Sequence, residues 1–309
     1  MGSTLITLTL LAAALFGLYR YAVATNGVAL LDWADRIFAG TEGTKVALRD
    51  VAFGPLAVQQ LEVIVPAAPA AAPRPVVVFI YGGGWHSGKA GEYHFVGRTL
   101  ARSGYAVVLP NYRLTPDGAF PHMLQDSAAA LKWVHDHIAE QGGDPARVFV
   151  MGHSAGAYNG MMLALDRQWL GREGVPDGFV KGVIGLAGPY DFFPFTSDST
   201  RAAFAHVADP AITQPINFVR YDAPPMLLLT GDLDTTVKPR NSLALAKAMT
   251  AAGAPTQAVV LKGMTHEGII MKLAQPFMAR DRRVIDAILA FLARHDDATA
   301  SAPVQAPEG

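Results

Sequence analysis

Six short, unbroken apolar runs constrain this chain more than any other feature: PVVVFI (75–80), YAVVLP (105–110), RVFVMG (147–152), GVIGLAG (182–188), MLLLTG (226–231) and AVVLKG (258–263). Most of them stop at Gly or Pro. A strand with one wet face alternates apolar and polar residues, so runs without alternation mark strands buried on both faces. Between them lie stretches with helical spacing, at roughly 92–103, 122–141, 155–168, 239–252 and 276–294; the first runs out at Ser103-Gly104 and the fourth at Gly253. Strands alternating with helices of this length predict a mostly parallel sheet covered on both faces. Ahead of them, VALRDVAF (46–53) and LAVQQLEVIV (56–65) do alternate, and predict half-buried antiparallel strands. The expected fold class is α/β, with about eight strands in one domain and no internal repeat.

Composition narrows the chemistry. Across 309 residues, 51% are hydrophobic, enough for a sizeable core. The 25 Lys and Arg nearly balance the 26 Asp and Glu, and no basic cluster would collect phosphates, so nucleic acid is not an expected partner. With no cysteine, disulfides, zinc-thiolate sites and a thiol nucleophile are all excluded. Any nucleophile must be an oxygen or an amine. Neither H-E-x-x-H nor another metal-ligand spacing occurs, and no metal or cofactor is expected.

The two ends stand apart from the middle. In residues 1–25 an apolar stretch from Leu5 to Leu18 is followed by Arg20 and by Ala22-Val23-Ala24, an A-x-A pattern. The stretch is short enough for a signal peptide, although no Lys or Arg precedes it; extended through Ala24, with Arg20 snorkelling to the interface, it is also long enough for an uncleaved membrane anchor. A third reading is a helix packing on the domain. Export or anchoring is the expectation, with residues 26–295 on the periplasmic side and membrane association through this segment. Residues 296–309 are small, polar and Pro-bearing, and read as a disordered tail.

In a parallel sheet the loops at the carboxyl ends of the strands carry the chemistry. Gly152-His153-Ser154-Ala155-Gly156 fits G-x-S-x-G, and it lies after the strand RVFVM and before the helix-forming AYNGMMLALD. The glycines are needed because the turn from strand to helix is too sharp for side chains at 152 and 156; the same turn pushes the Ser154 hydroxyl outward and aims the Ala155 amide at any oxyanion formed there. A Ser N-cap between glycines is the bland alternative. The stretch IYGGGWHSGKAG (80–91) places three glycines and Trp85 after another strand, a backbone whose N–H groups can point at a common centre. A phosphate loop fails here because Ala90 stands where Ser or Thr is required.

A serine hydroxyl needs an imidazole to take its proton and a carboxylate to hold that imidazole. Chain order on such a sheet runs Ser, acid, His. Asp234, in LLLTGDLDTTVKP, and His266, in VVLKGMTHEG, occupy the expected loops. Asp232 is the competing acid, and its place directly after Gly231 also suits a turn cap. His153 is read as packing beneath the turn, and His122, His135 and His137 as residues of one helix.

Together YGGGWHSGKAG, NYRLTPDGAFPHMLQDSAAALKWV, GGDPARVFVMGHSAG, DAPPMLLLTGDLDTTVKP and GMTHEG resemble the α/β-hydrolase fold, in particular bacterial carboxylesterases, over about residues 45–294. The resemblance implies Ser154 as nucleophile, Asp234 as acid, His266 as general base and acid, and the amides of Gly83, Gly84 and Ala155 as an oxyanion hole. It implies a small-molecule ester substrate, with amide or formamide cleavage and a non-catalytic binding scaffold as alternatives, and structural roles for NYRL and FPHMLQD. Two departures stand out. Tyr81 replaces the usual first His, as in prenylcysteine-methylesterase-like relatives, and Ala157 stands where a third glycine is frequent. Trp85, with Phe192, Phe193 and Phe195, is expected to form a modest apolar substrate pocket, local packing of these loop aromatics being the alternative, and Tyr81 is expected beside it as a residue that bears on substrate class. Residues from about 190 to 222, rich in aromatics and prolines, are expected to form a short cap over it.

Overall fold

The computed structural model describes residues 27–296. Its eight-stranded sheet comprises β1 (Thr44–Ala52), β2 (Gln60–Pro66), β3 (Arg74–Ile80), β4 (Ala106–Pro110), β5 (Gly143–His153), β6 (Val180–Leu186), β7 (Met226–Gly231) and β8 (Thr256–Leu261), in the order β1-β2-β4-β3-β5-β6-β7-β8. The β1–β2 and β2–β4 pairs are antiparallel and the rest parallel. Each unbroken apolar run lies in a strand. β2 begins later than its alternation suggests: Gln59 closes a turn by accepting the Leu56 amide on Oε1, so the strand starts only at Gln60.

The helices are α1 (27–39), α2 (His94–Arg102), α3 (His122–His137), α4 (Ala155–Leu165), α5 (Gln168–Arg172), α6 (Asp198–Phe204), α7 (Arg240–Ala251), α8 (His266–Met271), α9 (Gln275–Met278) and α10 (Arg283–His295). Register shows how they cover the sheet. Ile64, Val107, Val77 and Phe149 stand side by side across β2, β4, β3 and β5, and so project from one face. Ile64 lies under Gly97 of α2, and Phe149 adjoins Gly182 beside Phe291 of α10. Val150, one residue on, projects from the other face and lies under Gly160 of α4, along which α3 packs.

Three helical features depart from the sequence pattern. The stretch 155–168 divides at Asp166, whose Oδ1 accepts the Gln168 amide and whose Oδ2 accepts its side chain, which starts α5. The stretch 276–294 is two helices: Asp281 accepts both the backbone amide and the guanidinium of Arg283, which opens α10 anew. α1 had no counterpart in the sequence reading. It is pinned to the fold by Arg98 of α2, whose guanidinium bonds Asp35 at 2.6 and 3.0 Å and Asp32 at 2.8 Å, while the other oxygen of buried Asp35 accepts the Gln275 amide. The expectations for residues 1–25 and for 297–309 fall outside the described residues. Asp296, assigned to the tail, pairs instead with Arg147 of β5. No helix among the described residues is long and apolar enough to cross a membrane.

Candidate active site

The turn between β5 and α4 carries Ser154 at φ 53° and ψ −121°, a left-handed conformation that a side chain adopts only under constraint. The neighbouring glycines supply that constraint. A Cβ on Gly156 would collide with the carbonyl oxygens of Ile80 and Tyr81 at the end of β3, and one on Gly152 with the backbone of Gly156. The turn is thus wedged against the adjacent strand, and the Ser154 amide is fixed to Leu186 O of β6 at 2.8 Å.

His266 and Asp234 reach this serine from two later loops. His266 Nε2 is 2.9 Å from Ser154 Oγ, and His266 Nδ1 is 2.8 Å from Asp234 Oδ2. Asp234 is buried, and its other oxygen accepts the amides of Thr236 and Val237 at 2.9 and 2.8 Å, which fixes the carboxylate as an acceptor. With Nδ1 donating to Asp234, Nε2 is left bare to take the serine proton. Asp232 does something else: its Oδ1 accepts the Gly263 amide and ties the β7 loop to the β8 loop. His266 itself opens α8, where the Thr265 hydroxyl caps the Gly268 amide.

The glycine loop lies directly against the serine turn. A Cβ at Gly82 would sit 3.0 Å from Ser154 Cβ and 2.9 Å from His153 O. Gly83 and Gly84 hold φ of 116° and 59°, and neither amide has an acceptor among the described residues. Ala155 is the first residue of α4, where an amide has no partner within the helix. The amides of Gly83, Gly84 and Ala155 are thus left without an acceptor on the two loops that meet at the serine turn. The loop is held from behind by the segments expected to be structural. Thr115 N bonds Trp85 O, the Tyr112 hydroxyl bonds Tyr81 O, and Asn111 accepts the Ala90 amide. Arg113 in turn makes a bidentate pair with buried Asp126 of α3, which also accepts from Gln59.

Tyr81 is corrected by the structure. Its ring is buried, stacked 4.6 Å from Tyr112 and 5.7 Å from Tyr93, and packs behind the loop rather than facing a substrate. Trp85 is also buried, with Nε1 donating to Asn159 Oδ1 and its ring wedged between Tyr158, Phe204 and Phe192. It braces the cap instead of lining an open pocket. Within the segment 190–222, Ser199 of α6 lies over Gly84. Gln214 Oε1 accepts the amides of Phe192 and Phe193, Asn241 Oδ1 of α7 accepts those of Tyr190 and Asp191, and Phe120 N bonds Ala203 O.

Two residues carry more than the sequence reading gave them. Asn159 joins Trp85 to Ser127 of α3; a polar side chain inside the apolar helix AYNGMMLAL was the available signal. His153 is buried with its ring 4.9 Å from that of His266, and its Nε2–H donates to His266 O. Burial first, and the neighbouring His266 second, hold its pKa down at about 3, so this imidazole is neutral.

The sheet order and the serine turn, with loops from β3, β7 and β8 converging on it, define an α/β-hydrolase. The BD-FAE family profile matches residues 61–249, and the chain belongs to that family. It is 26% identical over 223 residues to a probable isoprenylcysteine alpha-carbonyl methylesterase of Arabidopsis thaliana, covering 65% of this chain and 47% of that one. To carboxylesterase NlhH of Mycobacterium tuberculosis it is 43% identical over 91 residues, 29% of this chain and 28% of that one. The chain spans about half the length of the curated methylesterases it matches. Among solved structures, esterase B from Lactobacillus rhamnosis superimposes with a TM-score of 0.71 at 20% identity, over 89% of this chain and 97% of that one. EstE1, a thermostable carboxylesterase from a metagenomic library, gives 0.69 at 23% identity, over 86% and 95%. At such identities the likeness is one of fold.

Proposed function

We propose that this chain is a serine hydrolase that cleaves small-molecule carboxylic esters through an acyl-enzyme on Ser154. The observation that carries the proposal is His266, bonded at one nitrogen to buried Asp234 and at the other to the Ser154 hydroxyl. His266 Nε2 takes the hydroxyl proton as Oγ attacks the ester carbonyl carbon, and the carbonyl oxygen becomes an oxyanion facing the amides of Gly83, Gly84 and Ala155. The imidazolium passes its proton to the departing alkoxide and the acyl group stays on Oγ. Water then attacks the acyl carbon with the same base, releasing the acid and restoring the serine. Ester-cleaving names among the relatives support this chemistry.

Ser154→Ala should abolish hydrolysis of p-nitrophenyl acetate and labelling by a fluorophosphonate, with kcat falling on the order of a million-fold. Labelling that survives the substitution would overturn the proposal. Comparing kcat/KM on an ester and on an N-formyl amide of the same acid separates ester from formamide cleavage, and the ester should be favoured.

A further inference from the structure

We propose that α1 is a membrane-seating helix whose outward face, formed by Leu30, Trp33, Ile37 and Phe38, lies in the interfacial layer of an anionic bilayer. These four side chains are 36%, 54%, 58% and 77% exposed. Positions 30, 33 and 37 follow one helical stripe and Phe38 extends it, while Leu31 and Asp35 turn inward and are buried. Large apolar groups gathered on one exposed face mark a surface that meets something other than water.

Charge says what that something is. Both acids of the helix, Asp32 and Asp35, are turned into the fold and paired with Arg98. The one cation of the helix, Arg36, faces the other way. Arg36 is exposed beside the stripe, while Arg102 next to Phe38 is half-buried, its Nη1 inside the fold and its other nitrogens donating to the carbonyl oxygens of Ala39, Gly40 and Glu42. Neither meets a carboxylate among the described residues. A groove lined by Phe38, Arg102 and Pro276 joins the apolar and cationic parts. Apolar residues, a tryptophan and the exposed Arg36 guanidinium, which meets no carboxylate among the described residues, suit the boundary between acyl chains and anionic headgroups.

The chain preceding α1 fits the same occupant. Twenty-six residues lie ahead of the helix, and they contain the apolar run from Leu5 to Leu18. One short apolar surface binds a bilayer only marginally, and stable attachment takes two signals. The stripe on α1 would be the second, and because Arg98 locks α1 to α2, seating that stripe also fixes how the rest of the domain is held.

The absence of cysteine gives a direct test on the full chain. Phe38→Cys and, separately, Ile37→Cys carry an environment-sensitive fluorophore; Glu140→Cys, exposed just beyond α3 on the opposite side of the sheet, is the control. Vesicles of phosphatidylcholine and phosphatidylglycerol containing a spin-labelled lipid should blue-shift and quench the labels at 37 and 38 and leave the label at 140 unchanged. Vesicles of phosphatidylcholine alone should do so several-fold less. Labels at 37 and 38 that stay exposed with vesicles present overturn the proposal. So do labels already shielded without lipid, which would mean that residues 1–26 cover the face, and labels shielded only as a dimer forms, which would mean a second copy. Ester hydrolysis by each labelled variant checks that it is folded.

Discussion

His153 and His266 sit in contact, yet only His266 is placed to exchange a proton with the serine. His153 is kept neutral by burial, with its pKa near 3 against the ordinary 6.5. The unfolded chain takes up a proton at this residue as pH falls through 6.5, whereas the folded chain does not until about 3. The folded state therefore keeps this contribution in full above about 6.5 and loses it progressively as the pH drops towards 3, by up to about 1.4 kcal/mol per pH unit. His153→Gln keeps a donor for His266 O and removes the titration, so its urea midpoint should change less between pH 7 and pH 5 than that of the parent; an equal drop in both would show that other groups govern acid stability. The two aspartates separate just as cleanly. Asp234→Asn should lower kcat by roughly 10⁴, because the imidazole loses the acceptor that sets its tautomer. Asp232→Asn keeps an acceptor for the Gly263 amide and should leave kcat within a few-fold. Loop position alone placed Asp234 ahead of Asp232 in the sequence, and the serine and histidine followed from motif and chain order. Tyr81 was not legible in the same way. It stands at the end of a strand, where the face a side chain takes is set by neighbours distant in sequence, here Tyr93 and Tyr112.

At the scale of elements, the strands could be read because burial on both faces removes every polar residue from the run. The helices were less legible at their ends. Helical spacing continues through Ala279-Arg280-Asp281-Arg282, so only the Asp281–Arg283 bonds reveal the break between α9 and α10. The short α6 and α8 have too few turns for a period, and their starts rest on Ser197 and Thr265 as caps. The serine turn depends on packing against rigid backbone. Gly156→Ala would force a methyl into the carbonyls of Ile80 and Tyr81, which cannot swing aside as a side chain does. It should destabilise the domain by about 1–3 kcal/mol and lower kcat with it, since the Ala155 amide moves too. Calorimetry beside ester kinetics would check both effects, and an unchanged Tm would show that the turn can relax.

Taken whole, the molecule joins α1 to the sheet layers through one buried ion cluster. Arg98→Met would leave Asp35 buried without its cation and should cost about 3–5 kcal/mol in urea unfolding. Arg98→Met combined with Asp35→Asn should recover part of that loss; if the double variant is no better, the cluster is not the source. The cap is drawn together by Gln214, which joins two of its own stretches, and is tied to the body through Asn241 and the Phe120–Ala203 bond, with Trp85 filling the space beneath it. A covering fastened in this way is expected to keep one position through turnover. Hydrolysis should then follow a plain hyperbola as substrate concentration passes its solubility limit, with no surge when droplets or micelles form. A bilayer that holds this protein in place would set where it meets its substrate while leaving the speed of each turnover unaltered.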